Sequence, residues 1–497
     1  MANRNFRVIV VGGGPVGLTL ANSLTKAGID YVVLERRQGI AEDEGASLVL
    51  APQGMRALAQ LGILDRLLKI SVEMVDMRAT TGDGRLIKKF LTHDTFRKYF
   101  GVGGHIFNRA HLVKALYDGL SKADKSRVLV NKKVADITAD DSGVTVSCAD
   151  GTKYEGSIVI GADGVHSMTR QRMRALALKA SPTADIDEDK PFSCYYKTLW
   201  CSFPLQGDEN GGPPGTAWAA HAKGHSMQYL IGRDRAWIFI YERLPVAPVR
   251  MGTRYTEEDA IAFANKWGHM AVGDNLTVND VFPQRYTVGM AALEEGILKR
   301  WSSGRIVLTG DAAHKFTPNQ GLGYINGLQD AVALTNELYR AEHTPSREYH
   351  DEKNKSGPSL ETLSAAFERY QNSRIDDAKS DWNTSSIETR MSAWNNPFYW
   401  FFDYWIRPFT PRWFDVFLMK YVIFESTSRG QVLDFLDDKE PFPAATVSWK
   451  HPIPGRAGLM TSEKVGRSSV SSLIGFLSIL CLSMTASVVI SGRYRLT

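Results

Sequence analysis

The chain opens on an apolar run, Phe6 to Val11, breaks at a glycine triplet, continues through a helix-like stretch, Leu18 to Ala27, and returns to an apolar run, Tyr31 to Leu34. Short apolar runs bounded by turn residues fit buried strands, so this order predicts a strand, helix, strand unit of a parallel sheet. Arg305 to Thr309 reads as another short buried strand, with a helix after it from about Asn326 to Leu338. Between these segments, Val128 to Ile160 reads as a β-meander turned at Asp140-Asp141-Ser142-Gly143 and Asp150-Gly151. Residues 185–295 read as strands, including a hairpin from Ser226 to Glu242 turned at Gly232-Arg233-Asp234. His343 to Leu360, rich in charge and proline, reads as a linker, and no internal repeat is evident.

The first break has chemistry in it. Gly12-Gly13-Gly14-Pro15-Val16-Gly17 sits where a strand turns into a helix: Gly12 permits the turn, Gly14 lets backbone approach a pyrophosphate, and Gly17 lets helix pack on strand. Phosphates would rest on the helix N-terminus, where N–H groups and the positive dipole end meet negative charge. Glu35, at the end of the second strand, falls at the roughly 20-residue offset of a carboxylate that accepts ribose hydroxyls. This pattern predicts dinucleotide binding without separating FAD from NAD; an ordinary glycine-rich turn is the competing reading. Asp311, at the edge of the strand Arg305 to Thr309, could accept a hydrogen bond from a ribityl hydroxyl. Pro318, Gly321 and Gly323 then let backbone approach a flat ligand, and the helix after them points its positive end at it.

With a third segment between them, Gly161-Ala162-Asp163-Gly164-Val165-His166-Ser167-Met168-Thr169-Arg170, these motifs resemble in type and order those of the group A FAD-dependent monooxygenases, whose fold is that of p-hydroxybenzoate hydroxylase. The resemblance covers roughly residues 5–345. It implies an α/β fold: a Rossmann-like FAD/NAD(P)-binding domain from residues 1–184 and 296–345, an inserted β-sheet substrate domain at 185–295, and a helical, aromatic-rich C-terminal region at 346–466. It also implies that Asp163 and Arg170 serve both FAD and a transiently docked NADPH, with helix capping as the alternative job of Asp163. Arg109, in Asn108-Arg109-Ala110-His111-Leu112, matches an arginine that opens a helix and contacts FAD. Within the family the chain is similar to fungal membrane-bound enzymes of secondary metabolism that act on prenylated aromatics, indole diterpenes and polyenes; Phe6 to Arg36, Gly45-Ala46-Ser47-Leu48-Val49-Leu50-Ala51-Pro52 and the aromatic C-terminal region carry that likeness, which implies a backbone contact to FAD at Val49, where relatives usually have glycine. One departure stands out: Tyr324 and Ile325 occupy the places of a small residue and an asparagine, and Asn326 comes one step later.

Composition narrows the partners. With 59 Lys and Arg against 54 Asp and Glu, the net charge of +5 is mild for 497 residues, and no basic, aromatic-interleaved stripe suggests nucleic acid. Cys148, Cys194, Cys201 and Cys481 have neither metal spacing nor a disulfide framework, so a reducing compartment is expected and a protein-bound metal is not. Between Arg467 and Arg493 lie 25 uncharged residues, with an apolar core of 18 from Leu473 to Ile490. A transmembrane helix is therefore expected at 470–492, nearly spanning the roughly 30 Å hydrocarbon core, with a buried or interfacial helix as the alternative. Lys450, Arg456, Lys464 and Arg467 before it predict a single-pass anchor in the endoplasmic reticulum with the catalytic part cytosolic. Pro397 to Phe424, crowded with aromatics but interrupted by Asp403, Arg407, Arg412 and Asp415, suits either a membrane interface or core packing.

The reaction that the resemblance implies is reduction of the flavin by a nicotinamide, capture of O₂ as a C4a-hydroperoxide, and transfer of the distal oxygen to a small lipophilic substrate. Tyr196 and Tyr229 fall near positions where phenol-oxidising relatives carry catalytic polar groups; simple packing is the alternative for each. A membrane anchor favours a lipophilic substrate and alkene epoxidation over phenol hydroxylation. No Trp-x-Trp-x-Ile-Pro segment supports a halogenase. A prenyl reductase and a flavin-binding scaffold without turnover complete the alternatives.

Overall fold

The computed structural model describes residues 6–43, 46–90, 92–249, 254–343 and 357–454. Its first strand, Arg7–Val11, alternates on neither face: Val8, Ile9 and Val10 are all buried, as a strand covered by helices on both sides must be. It pairs in parallel with Asp30–Leu34 on one side and Ile158–Gly161 on the other. The sheet runs in the order 302–303, 306–308, 158–161, 7–11, 30–34, 128–129, so the strand before the Gly-Asp turn sits two places from the strand before the glycine triplet. The helix Pro15–Ala27 starts with proline in its first turn and stops at Gly28, whose φ of 71° suits glycine. It packs on the long helix Leu322–His343, whose buried Leu328, Val332 and Leu334 face the same core.

A second sheet of eight strands takes the order 314–315, 287–297, 193–203, 236–243, 225–231, 216–222, 76–81, 86–90. The hairpin His225–Ile231 with Ala236–Arg243 forms as its turn residues predict. The last two strands come from the part of the chain that sequence placed in the FAD-binding domain: Thr216–His221 pairs in parallel with Asp76–Thr81, a crossover that no local signal marks. One face of this sheet packs its own small core, including Leu199, Cys201, Phe203 and Ile240, against the helix Glu257–Lys266. The other face looks toward the first sheet.

A 33-residue helix, Leu360–Ser392, ties the two sheets together. At 1.5 Å per residue it is about 50 Å long. Tyr370 Oη donates to the carbonyl of Leu308 in the first sheet, and farther along Arg390 pairs with Glu295 of the second at 2.7 Å. The aromatic segment after it divides in two. Phe424 is buried against Phe96 and Phe100, whereas Phe409 and Trp413 are 80% and 70% exposed.

The expected membrane anchor, and the localisation built on it, need correction. No helix among the described residues is long and apolar enough to cross a membrane. The segment 470–492 itself lies outside the described residues.

Candidate active site

A cavity of about 1520 Å³ lies between the two sheets and reaches the glycine triplet. At that end Gly12 adopts φ 106°, and a Cβ there would stand 2.5 Å from the carbonyl oxygen of Ala162. A Cβ on Gly17 would stand 1.8 Å from the Gly12 carbonyl oxygen, so helix and turn touch only because residue 17 is glycine. Gly14 differs: nothing lies within 4 Å of its missing Cβ. Gly14, Pro15 and Val16 line the cavity, and the helix they open has no side-chain cap. Open backbone at the positive end of a helix fits a pyrophosphate.

Glu35 is buried beside it and lines the same space. Its Oε2 accepts the Gly13 N–H at 2.7 Å, and Oε1 accepts the N–H and Nε of Arg37 at 2.8 and 3.0 Å. Burial alone would raise the pKa of this carboxyl, but the hydrogen bonds and charge of Arg37, with the Gly13 N–H, hold it below its ordinary 4.5. The remaining contact, from Arg37 Nη2, is a long 3.5 Å, which leaves an oxygen lone pair for a ribose hydroxyl.

Three further predicted contacts line the cavity. Val49 pairs with Ile106 across a short antiparallel ladder, and its backbone lies 3.5 Å from where a Cβ on Gly321 would stand. Arg109 opens the helix Arg109–Gly119, whose Asn108 cap accepts the N–H of Ala110 at 2.8 Å. Asp311 sits on the 3₁₀ turn Gly310–Ala312. That turn is pressed against Leu322–His343, where a Cβ on Gly327 would lie 3.3 Å from Gly310 Cα.

Asp163 also lines the cavity, yet its carboxylate is committed to the protein. It accepts Ser167 Oγ at 2.5 Å, the Thr169 N–H at 3.0 Å and Thr169 Oγ1 at 3.1 Å, capping the start of Met168–Ala180. Burial raises its pKa, and these bonds oppose the rise. Arg170 is inward and bound: Nη1 donates to the Ala312 carbonyl at 3.1 Å and Nη2 to that of Val165 at 2.8 Å. It ties the middle segment to the Asp311 turn.

Tyr324 lines the cavity where its sequence position suggested, but its hydroxyl is committed to the protein. Its hydroxyl meets Thr19 Oγ1 at 3.0 Å, bolting the long helix to the dinucleotide helix, and burial raises its pKa. Asn326 does not replace the missing polar contact, since it donates to Asp381 and accepts from Arg374 in the interior. That interior holds a network without a local sequence signature. Asp330, fully buried, accepts the Gly310 N–H at 2.9 Å, contacts His314 Nε2 at 2.6 Å and pairs with Arg374 Nε at 3.0 Å. Burial opposes its ionisation, but His314 and Arg374 hold its pKa below the ordinary carboxylate value.

The substrate-side tyrosines need correction, because neither lines the cavity. Side chains alternate along a strand, and Gln228 and Leu230 take the cavity face, so Tyr229 points to the opposite core. There it stacks on Phe203 with ring centres 6.1 Å apart, and burial raises its pKa to about 12. Tyr196 shares the face of Trp200 but is covered by Ala393, and its hydroxyl has no hydrogen-bond partner among the described residues. The residues that do face the cavity include Trp200, Phe239, Tyr241 and Gln228. Tyr241 Oη donates to Gln228 Oε1 at 2.9 Å, and Gln228 Nε2 donates to the Asn319 carbonyl at 2.7 Å, linking the sheet to the Pro318–Gln320 turn. His221 is another such residue, held by Asp403 at 2.6 Å. Polar side chains at inward parity in an apolar hairpin were the available signal for Gln228 and His221.

Fold and cradle together define an α/β dinucleotide-binding enzyme with a separate substrate sheet. The FAD binding domain family matches residues 5–207 and 247–356. FAD-dependent monooxygenase esdpE of Penicillium shearii is 35% identical over 413 residues, 80% of each chain. FAD-dependent monooxygenase ausM of Penicillium brasilianum is 33% identical over 389 residues, 78% of this chain and 79% of the relative. The protein belongs to the FAD-dependent monooxygenases. Its fold is similar to p-nitrophenol 4-monooxygenase PnpA of Pseudomonas putida, with a TM-score of 0.67 at 21% identity over 85% of this chain and 98% of that one. It is likewise similar to Klebsiella pneumoniae HpxO complexed with FAD and uric acid, with a TM-score of 0.66 at 21% identity over 84% and 97%.

Proposed function

We propose that this monooxygenase uses NADPH and O₂ to oxygenate a lipophilic intermediate of secondary metabolism, such as a prenylated aromatic, a meroterpenoid or a polyene, with alkene epoxidation as the favoured outcome. The observation that carries this reading is the wall of the cavity beyond the Asp311 turn, where Trp200, Phe239, Leu293, Phe402 and Phe414 enclose one continuous space with the dinucleotide cradle. Gly14 and the first turn of Pro15–Ala27 would hold the pyrophosphate, Glu35 the adenosine ribose, and Asp311 a ribityl hydroxyl. Arg109 and the Val49 backbone would complete the hold. Bound FAD supplies the redox chemistry, accepting hydride from the nicotinamide and activating O₂ for transfer of one oxygen atom.

The chain's own contribution is water exclusion and placement. Aromatic walls keep the site dry, and the Tyr241–Gln228–Asn319 link fixes the substrate sheet relative to the turn beside the ring. A second reading, hydroxylation of a phenol, is favoured by one feature, the imidazole of His221 in the cavity wall. The test is anaerobic bleaching of the flavin by NADPH or NADH, with and without prenylated aromatics and polyenes, followed by mass analysis in air. Acceleration by one compound and gain of one oxygen atom in it is the expected result. A flavin that neither nicotinamide bleaches would overturn the reading in favour of a scaffold.

A further inference from the structure

His221 lies in the strand Thr216–Ala222, directly opposite Ser226 on the neighbouring strand. Directly opposed side chains have Cβ atoms about 5 Å apart, so one small polar group can meet both. Both residues line the cavity, both are 1% exposed, and His221 Nε2 and Ser226 Oγ have no hydrogen-bond partner among the described residues. Buried polar atoms are rarely left unpaired, and two together on one cavity wall call for a ligand group between them.

The other side of the imidazole decides what that group is. Asp403 comes from the aromatic segment, 182 residues away, and its Oδ2 stands 2.6 Å from His221 Nδ1. The same carboxylate accepts Trp394 Nε1 at 2.9 Å and Arg407 Nη1 at 2.8 Å. Burial alone would raise its pKa, but His221, Arg407 and Trp394 hold it well below the carboxylate range. An ionised Asp403 is acceptor only, so Nδ1 donates to it and Nε2 is the ring atom left to face the cavity. What fits opposite Nε2 is a group that can both donate and accept. Ser226 Oγ can donate or accept as well, so one hydroxyl oxygen can serve both atoms at once.

We propose that His221 and Ser226 form a hydroxyl-recognition site in the substrate cavity, so that the substrate is an apolar molecule with a free hydroxyl, anchored there while another part of it is oxygenated. This rests on the reading of the cavity as the substrate's. Ser226 is two residues along its strand from Gln228, which touches the Asn319 turn, so the anchor sits about 7 Å along the sheet from that contact. The distance separates anchoring from reaction: the hydroxyl sets which carbon reaches the redox centre. Asp403 acts as a positioning residue through the imidazole.

The test uses the full-length, FAD-loaded protein and matched probes, 2-geranylphenol with its methyl ether and farnesol with its methyl ether, titrated by flavin fluorescence without any nicotinamide. We expect at least one hydroxyl compound to bind about tenfold more tightly than its ether, the size of one hydrogen bond to a charged or strongly polarised group. The phenol and alcohol pairs tell which hydroxyl is taken. His221→Asn keeps a donor for Asp403 but deletes the cavity-facing nitrogen, and is expected to abolish the preference with flavin content and Tm unchanged. Asp403→Asn is expected to weaken it through the imidazole tautomer, visible as a changed ¹⁵N signal of His221. Equal affinity within both pairs, or no binding by any of the four, overturns the proposal. Anaerobic bleaching by NADPH on the same preparations reports the oxygenase reading separately.

Discussion

The two ends of the cavity are built by opposite means. At the dinucleotide end the work is done by backbone drawn from neighbouring residues: Gly12, Gly14 and Gly17 within one turn, and Glu35 at the end of the next strand. At the substrate end it is done by side chains that meet from far apart, His221 with Asp403 and Gln228 with Asn319. A backbone cradle needs the absence of side chains at fixed spacing, which a sequence displays openly. A side-chain wall needs only the correct parity on several strands, which it does not.

The strongest way to break the contrast is to damage what both ends share. Asp330→Ala leaves Arg374 buried without its nearest carboxylate, and is expected to cost about 3–5 kcal/mol and to unfold both sheets together. A single cooperative loss of Tm checks it. Gly17→Ala, next in size, forces a methyl into the Gly12 carbonyl and is expected to cost about 3 kcal/mol and to strip the flavin, read as lost absorbance in the purified protein. Glu35→Gln is gentler: removing the charge that Arg37 and Gly13 hold is expected to weaken FAD binding about tenfold, measured by flavin release. The same carboxyl gives a pH test. Because its folded pKa is depressed, its stabilisation is present above 4.5 and fades as pH falls below it, so Tm is expected to drop more steeply in wild type than in Glu35→Gln there. The smallest effect belongs to Tyr196→Phe, whose lost hydroxyl had no partner. Stability within about 0.5 kcal/mol of wild type and unchanged turnover are expected.

Legibility follows the same division. The strand, helix, strand unit, the helix after the Gly-Asp turn and the Ser226 to Glu242 hairpin could be read from apolar runs and turn residues. The cradle residues Gly12, Gly14 and Glu35 fall where their spacing puts them. Tyr229 misled because position along the chain says nothing of parity, one residue's shift turning a tyrosine from cavity to core, whereas Tyr196 has the cavity parity but is covered by Ala393. Asp403 reads in sequence as a charge that interrupts an aromatic run, and only the fold brings it to His221. Tyr324 reads as an intruder near the cofactor, whereas its hydroxyl finds Thr19 across 305 residues of sequence. The hairpin Asp76–Phe90 joins the second sheet through a parallel pairing that has no turn to announce it.

The helix Leu360–Ser392 touches both sheets through Tyr370, Ser386 and Arg390. In mechanical terms it is a spacer bar, and the width of the gap it spans is set by helical rise rather than by whatever fills the gap. Side chains on the substrate sheet can then be exchanged for larger or smaller ones while the reach from sheet to redox centre stays constant. Pocket shape and reaction distance become separately adjustable quantities in this scaffold.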